Sequence, residues 1–237
     1  MVHFKEKARY NYDDLLEIIR VLRSPEGCPW DQVQTHQSIR RGLLEEAYEA
    51  AEGIDRDDAD LLREELGDVL MQVVFHAAME EERGRFTFED VCRNVCEKLV
   101  FRHPNIFASS AAENAGINGW DALKNKEKGR TTLADELATV PATLPALMRA
   151  QKLQKRAAGH GLGQQDAAAA QHRLEAAVQA FGKAEDTAKQ EAVGQLLFAA
   201  VNAARLAGVD AEEALTFASK RFAQQCLEQE QSGIQVE

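Results

Sequence analysis

Two short acidic clusters carry the residues best suited to chemistry: Glu45-Glu46-Ala47-Tyr48-Glu49 and Glu64-Glu65-Leu66-Gly67-Asp68. Each holds carboxylates three residues apart, and on a helix residues at that spacing share a face. Glu46 and Glu49 therefore point together from one helix, and Glu65 and Asp68 from the next. Two helices presenting two carboxylates each can hold a hard divalent cation through oxygen ligands. Magnesium is the expected ion, with manganese as the alternative.

Acidic runs on helices are more often solvated faces, and three features argue against that here. Glu65 falls among Leu61, Leu62 and Val69 at helical spacing, on or near the apolar stripe, where an ionised carboxylate is costly unless paired or metal-bound. The four acids lack basic residues at i+4 strong enough to explain them as surface pairs. Gly67, beside Asp68, costs roughly 1 kcal/mol against alanine inside a helix, which predicts close approach of a neighbouring helix there.

The elements that must position these acids are helical. A first helix is expected over 11–23, with Leu15, Leu16, Ile18, Ile19 and Leu22 on its apolar face and Ser24-Pro25 as its stop. Thr35 caps a second, running to about residue 52 and ended by Gly53. A third covers about 59–83, ended by Gly84, and Thr87 with Asp90 opens a fourth that stops at His103-Pro104. Residues 105–118 read as irregular, 120–128 as a charged helical piece, 146–157 as another helix and 159–163 as a break. Trp30, in a loop with two prolines around one glycine, is expected to cover an apolar edge.

Beyond that break the chain repeats itself. Leu174 to Gln179 aligns with Leu44 to Glu49, and Gly194 to Ala204 with Gly67 to Ala77. Glu46, Glu49, Glu65 and Asp68 correspond there to Ala176, Gln179, Ala192 and Gln195, so all four proposed ligands vanish together while the apolar frame stays. The expected architecture is all-α: two tandem small helical-bundle domains, 1–130 with the metal site and 131–237 a degenerate copy.

Composition fits. Hydrophobic residues make up 45% of the chain and aromatics only 6%, a mixture suited to helix packing. A net charge of -11 argues against duplex nucleic acid or an anionic membrane as partner. Cys28, Cys92, Cys96 and Cys226 show no disulfide-framework spacing, and neither signal peptide nor membrane-length apolar run is evident. A cytoplasmic location is expected. His36 and His76 have no evident catalytic partner in the sequence.

The pattern Glu45-Glu46-x-x-Glu49 followed by Glu65-x-x-Asp68 resembles the MazG-type nucleoside triphosphate pyrophosphohydrolases, all-α enzymes related to dimeric dUTPases. Gly27-Cys28-Pro29-Trp30-Asp31, Gln34-Thr35-His36, Arg102-His103-Pro104, Leu144 to Leu147 and Arg149 to Lys152 extend the likeness over nearly the whole chain. The resemblance implies magnesium-dependent hydrolysis of a nucleoside triphosphate between the α and β phosphates. Glu46, Glu49, Glu65 and Asp68 would hold the metal, and Glu45, with Glu46, would serve catalysis by acting on water. Lys98, Arg102, Trp120 and Lys124 match positions that hold the nucleotide, and a homodimer is expected. Glu45 persists in the second copy as Glu175, which weakens its case as the base. The competing expectation is a non-catalytic, nucleotide- or metal-sensing regulatory protein.

Overall fold

The computed structural model describes residues 4–107, 127–129, 132–163 and 165–231. The chain divides into two compact units, Met1–Ala115 and Gly116–Glu237. Both that division and the expected break at residues 130–131 fall outside the described residues. Described elements are helical throughout, with no strand among them.

In the first unit the helices are α1 (Tyr12–Arg23), α2 (Pro29–Gln32), α3 (His36–Asp55), α4 (Ala59–Glu82), α5 (Phe88–Arg102) and α6 (Pro104–Phe107). Their starts are fixed by side chains. Asn11, Thr35 and Thr87 each accept a bond from the backbone N–H three residues on, and the side chain there reaches back to the cap's own N–H. These capping boxes satisfy donors that a helix start otherwise leaves unpaired. Asp58 does the same for α4 by accepting from the N–H groups of Asp60 and Leu61.

The unit is organised around the α3–α4 hairpin. Leu16 and Ile19 of α1, Ile39 of α3 and Val74, Phe75, Ala78 and Met79 of α4 form one buried cluster. Arg23 lies 5.1 Å from the Phe75 ring centroid and pairs with Glu82 at 2.6 Å, while Arg20 pairs with Glu81 at 3.1 Å. This clamps α1 on the C-terminal half of α4 and leaves the N-terminal half, with Glu65 and Asp68, outside that cluster.

Three expectations need correction. Gly53 does not end α3. It lies inside the helix, where an added Cβ would sit 2.9 Å from the backbone nitrogen of Leu62, so its bare Cα is what lets α4 start close beside α3. Gly67 does not mark a close approach of the neighbouring helix, since a Cβ there would meet nothing within 4 Å among the described residues. Trp30 is 63% exposed and covers no apolar edge among the described residues. Gly67→Ala is accordingly expected to stabilise the protein by up to about 1 kcal/mol through helix propensity alone. A lower denaturant midpoint for that variant would contradict the open face.

The second unit contains α7 (Leu133–Ala138), α8 (Ala146–Gly159), α9 (Ala167–Lys183), a short 3-10 turn (Asp186–Ala188), α10 (Lys189–Leu206) and α11 (Ala211–Gln231). The α9–α10 pair carries the repeated sequence. Gln154 of α8 donates to the Phe198 carbonyl at 2.8 Å, and Gln151 accepts from the Ala211 N–H at 2.9 Å. Gly161 and Gly163 adopt positive φ in the turn after α8, a conformation that favours glycine.

Candidate metal centre

Four helical turns along the hairpin, α3 and α4 face each other in antiparallel register. Gly53 meets Leu62, Glu49 and Glu46 meet Glu65 and Asp68, Gly42 meets Gln72, and His36 meets His76. Each step back along α3 is answered by a nearly equal step forward along α4.

Glu46, Glu49 and Glu65 each offer a carboxylate oxygen, and these oxygens lie within 4.8 Å of one another. Asp68 is half-buried beside them and adds its field to both Glu46 and Glu65. Glu65 is only 9% exposed, which agrees with its place on the apolar stripe. Burial, then the charges of Asp68 and Glu49, push the Glu46 carboxyl above its ordinary value. Burial, followed by the charges of Glu49 and Asp68, does the same for Glu65. Converging carboxylates that resist ionisation together are the donor set a hard cation takes. The residues therefore fit a divalent ion.

Glu45 stands outside the cluster and pairs with Arg41 at 2.6 Å. Lys98 and Arg102 lie one turn apart at the end of α5, both half-buried. Trp120 and Lys124 lie outside the described residues. Sequence reasoning passed over His36 and His76, which touch at 2.7 Å. The hairpin register was the signal that could have paired them, because it aligns residue 36 with residue 76 once the acids are aligned.

A model of the MazG nucleotide pyrophosphohydrolase domain matches residues 34–107. The nucleoside triphosphate pyrophosphohydrolase/pyrophosphatase MazG of Thermotoga maritima is 39% identical over 227 residues, covering 95% of this chain and 88% of that protein. This chain belongs to the MazG family. The MazG match lies within the first unit and includes every acid of the cluster. A second MazG relative, the nucleoside triphosphate pyrophosphohydrolase of Escherichia coli, is 45% identical over 219 residues, with 89% of this chain and 83% of that protein covered. YabN of Bacillus subtilis is 41% identical over 226 residues, which span 92% of this chain and 46% of its own length.

The raised carboxyls carry a pH consequence. A group whose folded pKa lies above its unfolded value contributes stability below the unfolded pKa and loses it as pH rises through the folded one. Without metal, Glu46 and Glu65 should therefore cost stability as pH climbs above 4.5, their ordinary value. Glu80, held low chiefly by its hydrogen bond to His36, acts oppositely and loses stability as pH falls. The difference in melting temperature between Glu46→Gln and wild type isolates the first effect. It should favour the variant increasingly above that pH and shrink when magnesium is added.

Proposed function

We propose that this chain hydrolyses nucleoside triphosphates between the α and β phosphates, giving a nucleoside monophosphate and pyrophosphate, in a magnesium-dependent reaction. The observation that carries the reading is the convergence of Glu46, Glu49 and Glu65 beside Asp68 in a chain of the MazG family. Magnesium, with manganese as the alternative, would supply charge neutralisation at the phosphates when bound. Glu46, Glu49, Glu65 and Asp68 hold it, and their positions in mid-helix keep the ligand spacing rigid.

Glu45 is our candidate for orienting or deprotonating the attacking water; its pairing with Arg41 would have to loosen for that role. Lys98 and Arg102 would hold the phosphates, and Trp120 and Lys124, which lie outside the described residues, match family positions near the nucleotide. Residues 131–237 act as a degenerate copy serving packing or dimerisation.

A homodimer completes the arrangement. Leu44 and Tyr48 on α3, Leu66 and Leu70 on α4, and Val95 and Leu99 on α5 are large apolar side chains left exposed. Apolar surface of this kind marks an interaction face. Among the described residues no single helix is long and apolar enough to cross a membrane; the net charge of -11 is the ground for proposing a cytoplasmic protein whose main partner is neither an anionic membrane nor duplex nucleic acid.

Incubating the purified protein with each common nucleoside triphosphate and magnesium tests the reaction. Monophosphate and pyrophosphate should appear in equal amounts and only with metal. Release of orthophosphate and a diphosphate would sink the assignment, and binding without turnover would favour a sensing role.

A further inference from the structure

The two units differ in what lies under the helix that precedes each hairpin. In the first, α1 packs on α4, and Phe75, 7% exposed, belongs to the buried cluster between them. In the second, α8 packs on α10, and the residue aligned with Phe75 is Asn202. Carrying the alignment one residue past the edges of the repeated segments sets Arg205 against Ala78 and Arg173 against Leu43. Apolar positions of one copy are thus matched by an amide and two guanidinium groups in the other.

Asn202, Arg205 and Arg173 line a cavity of about 450 Å³ within the second unit, a size suited to a small molecule. Leu137 of α7, Leu153 and Ala157 of α8, Leu162 of the turn after it and Phe198 of α10 form its apolar walls. No carboxylate lines it among the described residues. Glu136, next to Leu137, is engaged instead by His160 at 3.0 Å and Arg156 at 3.8 Å. In a chain of net charge -11, an acid-free lining with two arginines selects for an anion. Gln154 adds a further demand. Its Nε2 donates to the Phe198 carbonyl at 2.8 Å, which fixes how the amide is turned. The remaining oxygen, Oε1, is buried without a hydrogen-bond partner among the described residues, on a residue only 9% exposed. A buried acceptor in that state is costly until an N–H or O–H reaches it. Asn202 Oδ1, by contrast, accepts from Arg205 at 2.9 Å, which holds that guanidinium at the cavity wall.

We propose that this cavity binds a nucleoside monophosphate without metal, its base beside Phe198 and Gln154 and its phosphate toward Arg173 and Arg205. Each part of the ligand answers one part of the lining. Phe198, 46% exposed, offers a ring face on which a base can stack. Every common base carries an N–H for the Gln154 oxygen. Arg173 is exposed at the mouth, where a phosphate can meet it with charge-assisted hydrogen bonds. A triphosphate carrying magnesium is a poorer match, because no carboxylate is present to share the cation. The second unit, with Ala176, Gln179, Ala192 and Gln195 in place of the four acids, thereby reads a nucleotide and does not cleave one. This goes beyond the hydrolysis proposed for the first unit and does not depend on it.

Calorimetric titration of the full-length protein in excess EDTA, with adenosine, guanosine, cytidine and uridine monophosphates in turn, provides the test. At least one should bind saturably at a single site per chain, and inorganic phosphate or the bare nucleoside should bind more weakly on the order of tenfold. Arg173→Glu, at an exposed position, should keep the wild-type melting temperature and weaken binding on the order of tenfold or more. Leu162→Trp, which fills the cavity from the exposed turn, should abolish binding. Glu46→Gln should bind as wild type does. The proposal is overturned by failure of all the monophosphates to bind, by undiminished binding in either second-unit variant, or by loss of binding in Glu46→Gln. Phosphate alone binding as tightly as the monophosphates overturns it too, since the apolar walls then contribute nothing. A protein that binds the monophosphate but releases no pyrophosphate from triphosphates refutes the hydrolytic reading and leaves this site standing.

Discussion

Replacing Glu46 by glutamine is expected to lower magnesium-dependent pyrophosphate release by at least a hundredfold while leaving the protein folded. Removing a residue that merely supports a metal ligand costs about 10–100-fold, and Glu46 stands in the ligand cluster itself. Its carboxyl is also under strain from burial and from Asp68 and Glu49. Neutralising it relieves repulsion, so the metal-free variant should melt no lower than wild type above pH 5, a window set by the ordinary carboxylate pKa. Activity and stability thus move in opposite directions, which separates a lost ligand from a damaged fold. Asp68→Asn should behave alike, whereas Glu175→Gln and Gln195→Ala in the second unit should leave turnover nearly unchanged. Wild-type activity in Glu46→Gln would refute the metal assignment.

The second large effect is expected from one methyl group. Gly53→Ala places a Cβ 2.9 Å from the Leu62 nitrogen and 3.0 Å from its Cα, and backbone atoms cannot rotate away. The helix propensity gain of roughly 1 kcal/mol should be outweighed by overpacking, which typically costs about 1–3 kcal/mol. Chemical denaturation should therefore give a lower midpoint for Gly53→Ala and a higher one for Gly67→Ala, the same substitution on the facing helix. Because Glu49 and Glu65 lie about one turn from this contact, the first variant should also bind magnesium less tightly. Equal midpoints for the two variants would show that the glycines are interchangeable and the close contact unimportant.

The contrast between these glycines shows what the amino-acid order could and could not convey. Caps are local, and Thr35 and Thr87 announced the starts of α3 and α5 correctly, while Asn11, read as the first residue of its helix, is the cap of α1. The acids were legible for the same reason, since helical spacing places Glu46 with Glu49 and Glu65 with Asp68. The absence of all four from the second copy marked them as a set. What a glycine touches is not local. Gly53 looked like a terminator and Gly67 like a contact, and only the register of α3 on α4 reverses the two. His36 and His76, forty residues apart, were invisible to any argument confined to one helix. Unit 2 supplied its repeat, but α11, which follows the repeated hairpin, left no comparable signal among its exposed Leu215, Phe217 and Phe222.

The carboxylates sit midway along helices whose ends are secured by caps and whose packing depends on other residues. Reactivity and architecture are therefore separately inherited. Ala176, Gln179, Ala192 and Gln195 occupy the matching places on α9 and α10, and those helices still pair. If residues 131–237 are the degenerate copy proposed above, four changes, none at a cap or a turn, would suffice to retire such a centre without dismantling its frame. On that reading a duplicated copy would persist for its shape alone, free to acquire another use while its twin keeps the original chemistry.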